Sequence, residues 1–268
     1  MLKTKVILKS GIFDHLGNQN TYSINNENIP IETDFHWELT EEGRVTQSLR
    51  DEWEHMFKEI SNLIPNTVEN HLSIGGGGDS VMGSLLPNDT KTWVTINPNL
   101  LELKQLKNPQ HLNTLLIRAI AEDIPIISNT FDNVDLLGTI DHLISPKLAL
   151  KEIFRVSKPG AQIIITVTNS ESWYKMVFKN LRIPIHNEHS HPHEFTPKQL
   201  KLMLEENGFQ IQKMQTTYYL RLPILLEKMI TGSNSRKVRH YISNIFLPKI
   251  LGKQKGGIII CSAKNPGI

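Results

Sequence analysis

Short apolar segments alternate with segments of helical periodicity along most of the chain that follows residue 70. The apolar segments are rich in β-branched and aliphatic residues and lie at 71–74, 92–97, 115–120, 134–140 and 162–168. The helical segments between them lie at 80–86, 99–107 and 145–157. Nearly continuous apolar strands that alternate with helices are typical of a parallel sheet covered on both faces. The pattern therefore predicts a doubly wound α/β domain.

The end of the chain adds one more helix and two more strands to this pattern. The helix follows Thr196 and Pro197, which suit the N-cap and the first helical position, and it ends before Gly208. The two strands are predicted at 209–220 and 256–264. We expect the residues of about 218–255 to form a helical insertion before the last strand.

The first 70 residues differ from the rest, because polar residues crowd most of them. One apolar stripe at helical spacing stands out there, formed by Leu49, Trp53, Phe57, Ile60 and Ile64. We therefore predict an N-terminal polar and helical region at 1–70 and the main domain at 71–268.

The composition excludes several classes of protein. The chain of 268 residues is 39% hydrophobic and 21% charged, as ordinary globular proteins are. No run approaches the roughly 20 consecutive apolar residues that span a bilayer, and residues 1–15 lack the apolar core of a signal peptide. The formal net charge of +2 is too small to require a nucleic-acid partner. The single cysteine, Cys261, cannot form an internal disulfide, so we expect a cytoplasmic protein.

Four consecutive glycines, at 75–78, lie directly between a predicted strand and a predicted helix. Because glycine has no Cβ atom, a ligand can approach this backbone closely, and the amides at the start of the helix face it. No Gly-Lys-Ser/Thr follows, as it would in a P-loop, and the third glycine of a dinucleotide fingerprint is missing at position 80. A nucleotide-like ligand is the first interpretation, and a tight turn without a ligand is the alternative.

Residues 118–169 contain a series of short motifs in a fixed order. They are Ala121-Glu122-Asp123-Ile124-Pro125, Phe131-Asp132, Asp141-His142, Glu152, Arg155 and Lys158-Pro159-Gly160. In these motifs the segment resembles class I S-adenosylmethionine (SAM)-dependent methyltransferases of type 11. With the glycines and the last strand, the similarity covers about 70–264. It implies a Rossmann-like, doubly wound, mostly parallel sheet of seven strands with an N-terminal lid. It also implies SAM as the cofactor and S-adenosylhomocysteine as the product.

The resemblance places one group of residues at the methionine end of SAM. The glycines of this group are Gly75, Gly76, Gly77 and Gly78. Asp79, which follows them, is expected to face the positively charged ammonium or sulfonium. Thr139, after the fourth strand of the main domain, is expected to line the methyl-transfer site.

A second group of residues is implied for the nucleoside end of SAM. Asn97 occupies the position where the family has an acidic residue on the ribose hydroxyls. Asp123 is expected to accept a hydrogen bond from the adenine amino group, with Glu122 beside it and Ile124 against the ring. The alternative for Glu122 and Asp123 is a solvated pair in a loop.

Three positions depart from the family pattern. Ser73 stands where the first strand usually carries a carboxylate, Asp79 stands where a third glycine is usual, and Asn97 is neutral. These departures support an alternative in which the protein is a catalytically silent member of the SAM fold that serves in binding or assembly. A nicotinamide-dependent oxidoreductase on a similar sheet is a third hypothesis, and the methyltransferase-like segment argues against it.

A run of histidines suggests where an acceptor is activated. Four histidines lie within eight residues, at His186, His189, His191 and His193. We expect this loop to contribute to the acceptor pocket; a transition-metal site and a solvated loop are the alternatives, and no metal is our prediction. The expected general base is His191, followed by His142 and then His193.

The predicted acceptor is a small molecule or a glycan that is methylated at oxygen. Residues 221–255 carry eight lysines and arginines against one glutamate, so an anionic acceptor is an open alternative. The same segment is compatible with two packed helices that expose a solvated basic face. No RNA-binding module accompanies it, so we do not expect a nucleic-acid partner, and a lipid headgroup ranks below a small molecule.

Overall fold

The computed structural model of the chain describes residues 7–9, 12–19, 21–24, 27–31, 47–77, 80–106, 113–182, 192–219 and 241–267. The strands of this part are β1 (Ile7–Lys9), β2 (Ile12–Asp14), β3 (Thr21–Ile24), β4 (Glu27–Pro30), β5 (Asn70–Ile74), β6 (Thr92–Ile96), β7 (Asn113–Arg118), β8 (Phe131–Leu137), β9 (Ser157–Thr168), β10 (Gln210–Thr217) and β11 (Ile258–Lys264). The α-helices are α1 (Gln47–Ser61), α2 (Met82–Leu85), α3 (Leu100–Gln105), α4 (Pro146–Val156), α5 (Trp173–Asn180), α6 (Pro197–Glu206) and α7 (Leu247–Leu251). A 3-10 turn at Ile140–His142 follows β8, and a π-helical turn at Ile242–Phe246 precedes α7.

Nine of these strands form one sheet, in the order β1-β2-β7-β6-β5-β8-β9-β11-β10. The pairs from β2 to β9 are parallel, whereas β11 is antiparallel to both of its neighbours. The seven strands from β5 to β11 form the mostly parallel, Rossmann-like sheet that the resemblance implies, so this prediction of the fold is confirmed. β5 lies between β6 and β8. From β5 the chain builds the sheet in one direction through β6 and β7, and then in the opposite direction through β8 and β9, so the strand order reverses at β5.

The sheet differs from the seven-stranded prediction by an added hairpin. Strands β1 and β2 pair with each other, and β2 then pairs in parallel with β7, with Ile12 opposite Leu116. The N-terminal residues therefore extend the sheet of the main domain rather than only covering it. The polar composition of this region concealed the strands, because each has only three residues.

Both faces of the central sheet are covered, as the apolar strands predicted. On one face, alternate residues such as Leu72 and Val134 pack against Leu150 of α4 and Leu200 of α6. On the other face, Trp93 packs with Ile60 and with other apolar side chains of α1, α2 and the segment between them. The alternation within each strand therefore decides which side chains face α1, and polar side chains share that face with Trp93.

The boundaries of α6 follow the signals in the sequence. The Thr196 side chain accepts a hydrogen bond from the Gln199 N–H, and the Gln199 side chain accepts one from the Thr196 N–H, which forms a capping box. Pro197 occupies the first turn, and Gly208 follows the helix with a φ of +88°. The predicted start and stop of this helix are therefore confirmed.

The last strand contains Cys261, which is buried in the core of the sheet. Burial raises the pKa of its thiol to about 12, so the thiolate form is strongly disfavoured in the folded protein. None of the helices in the described ranges is long and apolar enough to cross a membrane. Residues 220–240, most of the predicted insertion, lie outside these ranges.

Candidate functional site

A cavity of about 420 Å³ opens at the carboxyl ends of the central strands, which is a size that suits a small-molecule ligand. It lies where the chain order reverses, the usual ligand position in doubly wound sheets. The sheet contributes residues from the ends of β5 to β8, and the N-terminal region contributes Ile31, Met56 and Phe57. The presence of N-terminal side chains at the cavity agrees with a lid, whose motion stays a prediction.

The first three of the four glycines line the cavity, whereas Gly78 and Asp79 lie outside the described residues. Gly75 has a φ of +74°, and its N–H donates to the Ile96 carbonyl at 2.7 Å. A Cβ atom on Gly75 would lie 2.5 Å from Cγ2 and from Oγ1 of Thr139. The Thr139 hydroxyl in turn donates to the Ile74 carbonyl at 3.1 Å. Glycine is therefore required at position 75 by both backbone conformation and space.

Asn97 lines the cavity at the end of β6 and is held by both ends of its amide. Its Oδ1 accepts from the Asn99 N–H at 2.8 Å, and its Nδ2 donates to the Gly76 carbonyl at 3.2 Å. The side chain therefore ties the glycine loop to the start of α3. An amide oxygen has two acceptor positions, so a ribose contact is compatible with this arrangement and stays a prediction.

Glu102 supplies a carboxylate close to the glycine loop. It lies in the first turn of α3, whose N-cap is Asn99, and it lines the cavity. A Cβ atom on Gly77 would overlap the Glu102 carboxylate, which shows how closely the two residues approach. Sequence reasoning missed Glu102. The available signal was its place in the first turn of a helix that begins at the carboxyl edge of the sheet.

The segment of Glu122, Asp123 and Ile124 turns so that only Glu122 lines the cavity. The Asp123 carboxylate is 50% exposed and lies 2.9 Å from Nε2 of His15. Ile124 is buried in the core between the sheet, α4 and α6. The structure therefore brings Glu122 to the other cavity residues and leaves Asp123 and Ile124 apart from them. An adenine contact through Asp123 stays a prediction that this placement does not favour.

The Glu122 carboxylate is buried, and it accepts a hydrogen bond from the Ser145 N–H at 2.9 Å. Burial raises the pKa of Glu122 above the ordinary glutamate value, although hydrogen bonds from backbone N–H groups oppose this shift. The native state therefore holds the Glu122 proton more tightly than the unfolded state does. This part of the stability is fully present below the ordinary glutamate pKa and is lost as the pH rises through the raised pKa.

We predict that Glu122→Gln, a neutral isostere, removes this pH dependence. In the ligand-free protein, the free energy of unfolding of the variant should increase relative to that of the wild type as the pH rises from about 4 to about 7. Urea unfolding at a series of pH values measures the difference. A difference that stays constant, or that reverses over this range, would contradict the assignment.

The predicted histidines separate into three groups. His142 lines the cavity from the 3-10 turn that follows β8. His193 instead holds this turn from outside, because its Nε2 donates to the Leu143 carbonyl at 2.8 Å and its N–H donates to the Asp141 carbonyl at 3.1 Å. His191 lies outside the described residues. The described ranges contain no group of three histidine, cysteine or carboxylate side chains arranged to hold a metal ion.

The cavity is acidic. Its acidic residues are Glu102, Glu122, Asp135 and Asp141, and no lysine or arginine is found among the described residues that line it. Such a lining suits a ligand with positive charge and disfavours a pyrophosphate. Asp135 was not singled out from the sequence, because nothing in its own strand marks it as a cavity residue.

The mostly parallel sheet, the glycine loop after its first central strand and the cavity at the switch point define the Rossmann-like fold of class I methyltransferases. The chain belongs to the methyltransferase domain family, whose sequence profile matches residues 46–214. A comparison with curated proteins found no match.

Solved structures of low sequence identity share the fold. A chain from the Haloferax volcanii complex that contains the Trm112 methyltransferase activator has a TM-score of 0.58 at 12% identity over 82% of this chain and 95% of its own. A SAM-dependent methyltransferase from Thermotoga maritima has a TM-score of 0.56 at 15% identity over 81% and 90%. The [4+2]-cyclase SpnF has a TM-score of 0.54 at 16% identity over 82% and 83%. These similarities show the fold, and the cyclase shows that this fold is not confined to methyl transfer.

Proposed function

We propose that the protein transfers a methyl group from SAM to a hydroxyl group of a small molecule or glycan. The observation that carries the proposal is the acidic cavity beneath the glycine loop, which also contains His142. SAM carries an ammonium and a sulfonium, whereas a nicotinamide dinucleotide carries a negative pyrophosphate. Charge complementarity therefore supports SAM over the dinucleotide.

The residues present fit SAM in shape as well as in charge. Gly75, Gly76 and Gly77 present backbone to the cavity, with side chains of the protein where Cβ atoms would lie. Asn97 and Glu102 would hold the ribose side, and Ile31 with Ile120 would form an apolar wall. When bound, SAM supplies a methyl group on a sulfonium that a nucleophile can displace.

The protein contributes mainly position and a base to this displacement. Met56 and Phe57 form an apolar part of the lining, which would keep water away from the methyl group of bound SAM. His142 would accept the proton of the acceptor hydroxyl, since the imidazole ring is the commonest general base in enzymes. His193 would keep His142 in place through its hydrogen bonds to the same turn.

Titration calorimetry with SAM, S-adenosylhomocysteine and NAD tests the cofactor, and transfer of a radiolabelled methyl group from SAM to a panel of sugars and small alcohols tests the reaction. We expect both sulfur nucleosides to bind, NAD not to bind, and the label to enter hydroxylated acceptors. Binding of SAM without any transfer would instead favour a binding protein. Binding of NAD alone would overturn the proposal.

Two finer expectations belong to the same proposal. An anionic acceptor would require the basic residues of 221–255, most of which lie outside the described ranges. A cytoplasmic location is expected from the single, buried cysteine.

A further inference from the structure

A buried polar network lies beneath the glycine loop, on the sheet face that α1 covers. His71 and Ser73 belong to β5, Asn133 and Asp135 belong to β8, and Trp93 belongs to β6. All five residues are buried, and Asp135 is the member that lines the cavity. Burial of polar groups lowers the stability of the folded protein unless they are hydrogen-bonded, so the presence of this network in the core needs an explanation.

The hydrogen bonds of the network converge on one oxygen of Asp135. Its Oδ1 lies 2.7 Å from Nε2 of His71 and accepts from the Ser73 hydroxyl at 2.5 Å. Trp93 Nε1 donates to the Ser73 oxygen at 2.9 Å, and Asn133 Nδ2 lies 3.0 Å from Nδ1 of His71. The Asp135 side chain is only 4% exposed.

The second carboxylate oxygen of Asp135 is left for the cavity. Among the described residues, both hydrogen bonds of the carboxylate end on Oδ1, and none ends on Oδ2. With the side chain at the cavity wall, the network fixes the carboxylate by one oxygen and leaves the other for a ligand. A buried carboxylate presented in this way favours a cationic partner that donates hydrogen bonds.

The position of Asp135 compensates for one of the three departures from the family pattern, the one at Ser73. Ser73, which replaces the carboxylate usual on the first strand of the family, lies directly opposite Asp135 in the parallel pairing of β5 with β8. The negative charge is therefore present at the same level of the sheet, on the neighbouring strand. Ser73 precedes Gly75 by two residues. Ser73 and Asp135 therefore lie deeper in the sheet than Thr139 and His142, which follow β8.

We propose that Asp135 binds the ammonium group of the methionine part of SAM, with His71 and Ser73 as positioning residues. The inference rests on the proposed function, because it assigns a role within the SAM site. A reading of the network as a hydrolytic triad does not fit. The Ser73 hydroxyl is fully buried and donates to the carboxylate, so it is not available as a nucleophile.

The test compares the Asp135→Asn variant with the wild type by calorimetry, using three probes. SAM has both cationic groups, S-adenosylhomocysteine has only the ammonium, and 5′-methylthioadenosine has neither. We expect the variant to bind the first two about 10- to 100-fold more weakly, the range for a hydrogen bond to a charged group, and to bind methylthioadenosine as the wild type does.

The Asp132→Asn variant is the matched control. Asp132 is on the same strand, but its carboxylate pairs with Lys158 and accepts from the Asn70 N–H outside the cavity. Its SAM affinity should equal that of the wild type. An equal loss for methylthioadenosine in Asp135→Asn, a loss confined to SAM, or no loss at all would overturn the assignment of the ammonium.

A relocated carboxylate supplies a second, independent test. In the double variant Ser73→Asp/Asp135→Ser the charge returns to the first strand, and we expect SAM affinity to recover by at least about tenfold relative to Asp135→Ser alone. Failure of the double variant to recover, when it still binds methylthioadenosine, would overturn the proposal. If the wild type itself binds neither SAM nor S-adenosylhomocysteine, the proposed function fails instead.

Discussion

Replacing Gly75 with valine should abolish measurable SAM binding while the sheet stays folded. A φ of +74° costs a non-glycine residue about 1–2 kcal/mol, and valine is among the least tolerant residues. The Cβ atom would also lie 2.5 Å from two atoms of Thr139, so the loop must move away from Thr139, which follows β8. Since this loop forms one wall of the cavity, we expect the affinity measured by calorimetry to fall by more than about 100-fold.

The Gly160→Ala variant separates backbone strain from the effect on the site. Gly160 also has a positive φ, of +85°, but a Cβ atom there meets nothing within 4 Å, and the residue lies outside the cavity lining. The Gly160→Ala variant should lose some stability and keep its SAM affinity.

The Gly75→Ala variant, with and without Thr139→Ala, is also informative. Because Thr139→Ala removes the two atoms nearest to the new Cβ, it should recover part of the SAM affinity lost in Gly75→Ala. Wild-type affinity in a folded Gly75→Val protein would contradict our view of the loop.

The parts of this fold that were predictable are those that local pattern determines. The apolar segments became β5 to β9 because each is short, rich in aliphatic residues and bounded by polar or glycine residues. Gly75 was predictable as a residue of the cavity, because a run of glycines between a strand and a helix leaves the backbone open to close approach. The helix after Thr196 was predictable from its cap, which is formed by residues only three apart in sequence.

The parts that were not predictable depend on contacts between distant segments. Asp135 becomes a cavity residue only because β8 pairs with β5 in the register that sets it opposite Ser73, 62 residues earlier in the chain. A shift of one residue in that register would turn its side chain to the other face of the sheet. Glu102 likewise depends on how α3 approaches the glycine loop.

The turn at residues 121–123 shows a second kind of limit. The resemblance marks Glu122 and Asp123 as a pair, but neighbouring residues of a turn point in different directions. Ser145 fixes the Glu122 carboxylate inside, whereas His15 meets the Asp123 carboxylate near the surface. His15 comes from the hairpin region that the polar N-terminal sequence concealed, so no local pattern linked it to Asp123.

The second large effect is expected at His142. Replacing it with asparagine should lower kcat for a hydroxyl acceptor by about 100- to 10,000-fold, the usual range for losing a general base. The affinity for SAM should change by less than about threefold, because no proton is transferred while SAM binds. His142 lies in the 3-10 turn that follows Thr139, and it lines the same cavity as Thr139 and Gly75, which are in close contact with each other. Single-turnover transfer of a labelled methyl group measures the chemical step directly.

The contrast with His193 decides whether this effect is chemical or structural. His193→Asn removes the hydrogen bond from the ring to the Leu143 carbonyl and should lower the thermal midpoint, with a loss of rate well below that of His142→Asn. An acceptor with a neutral amine supplies a second criterion, since such a nucleophile needs no base for attack. It should therefore be methylated by His142→Asn at nearly the wild-type rate. Equal losses for hydroxyl and amine acceptors, or a parallel loss of SAM affinity, would show that His142 shapes the cavity rather than accepting the proton.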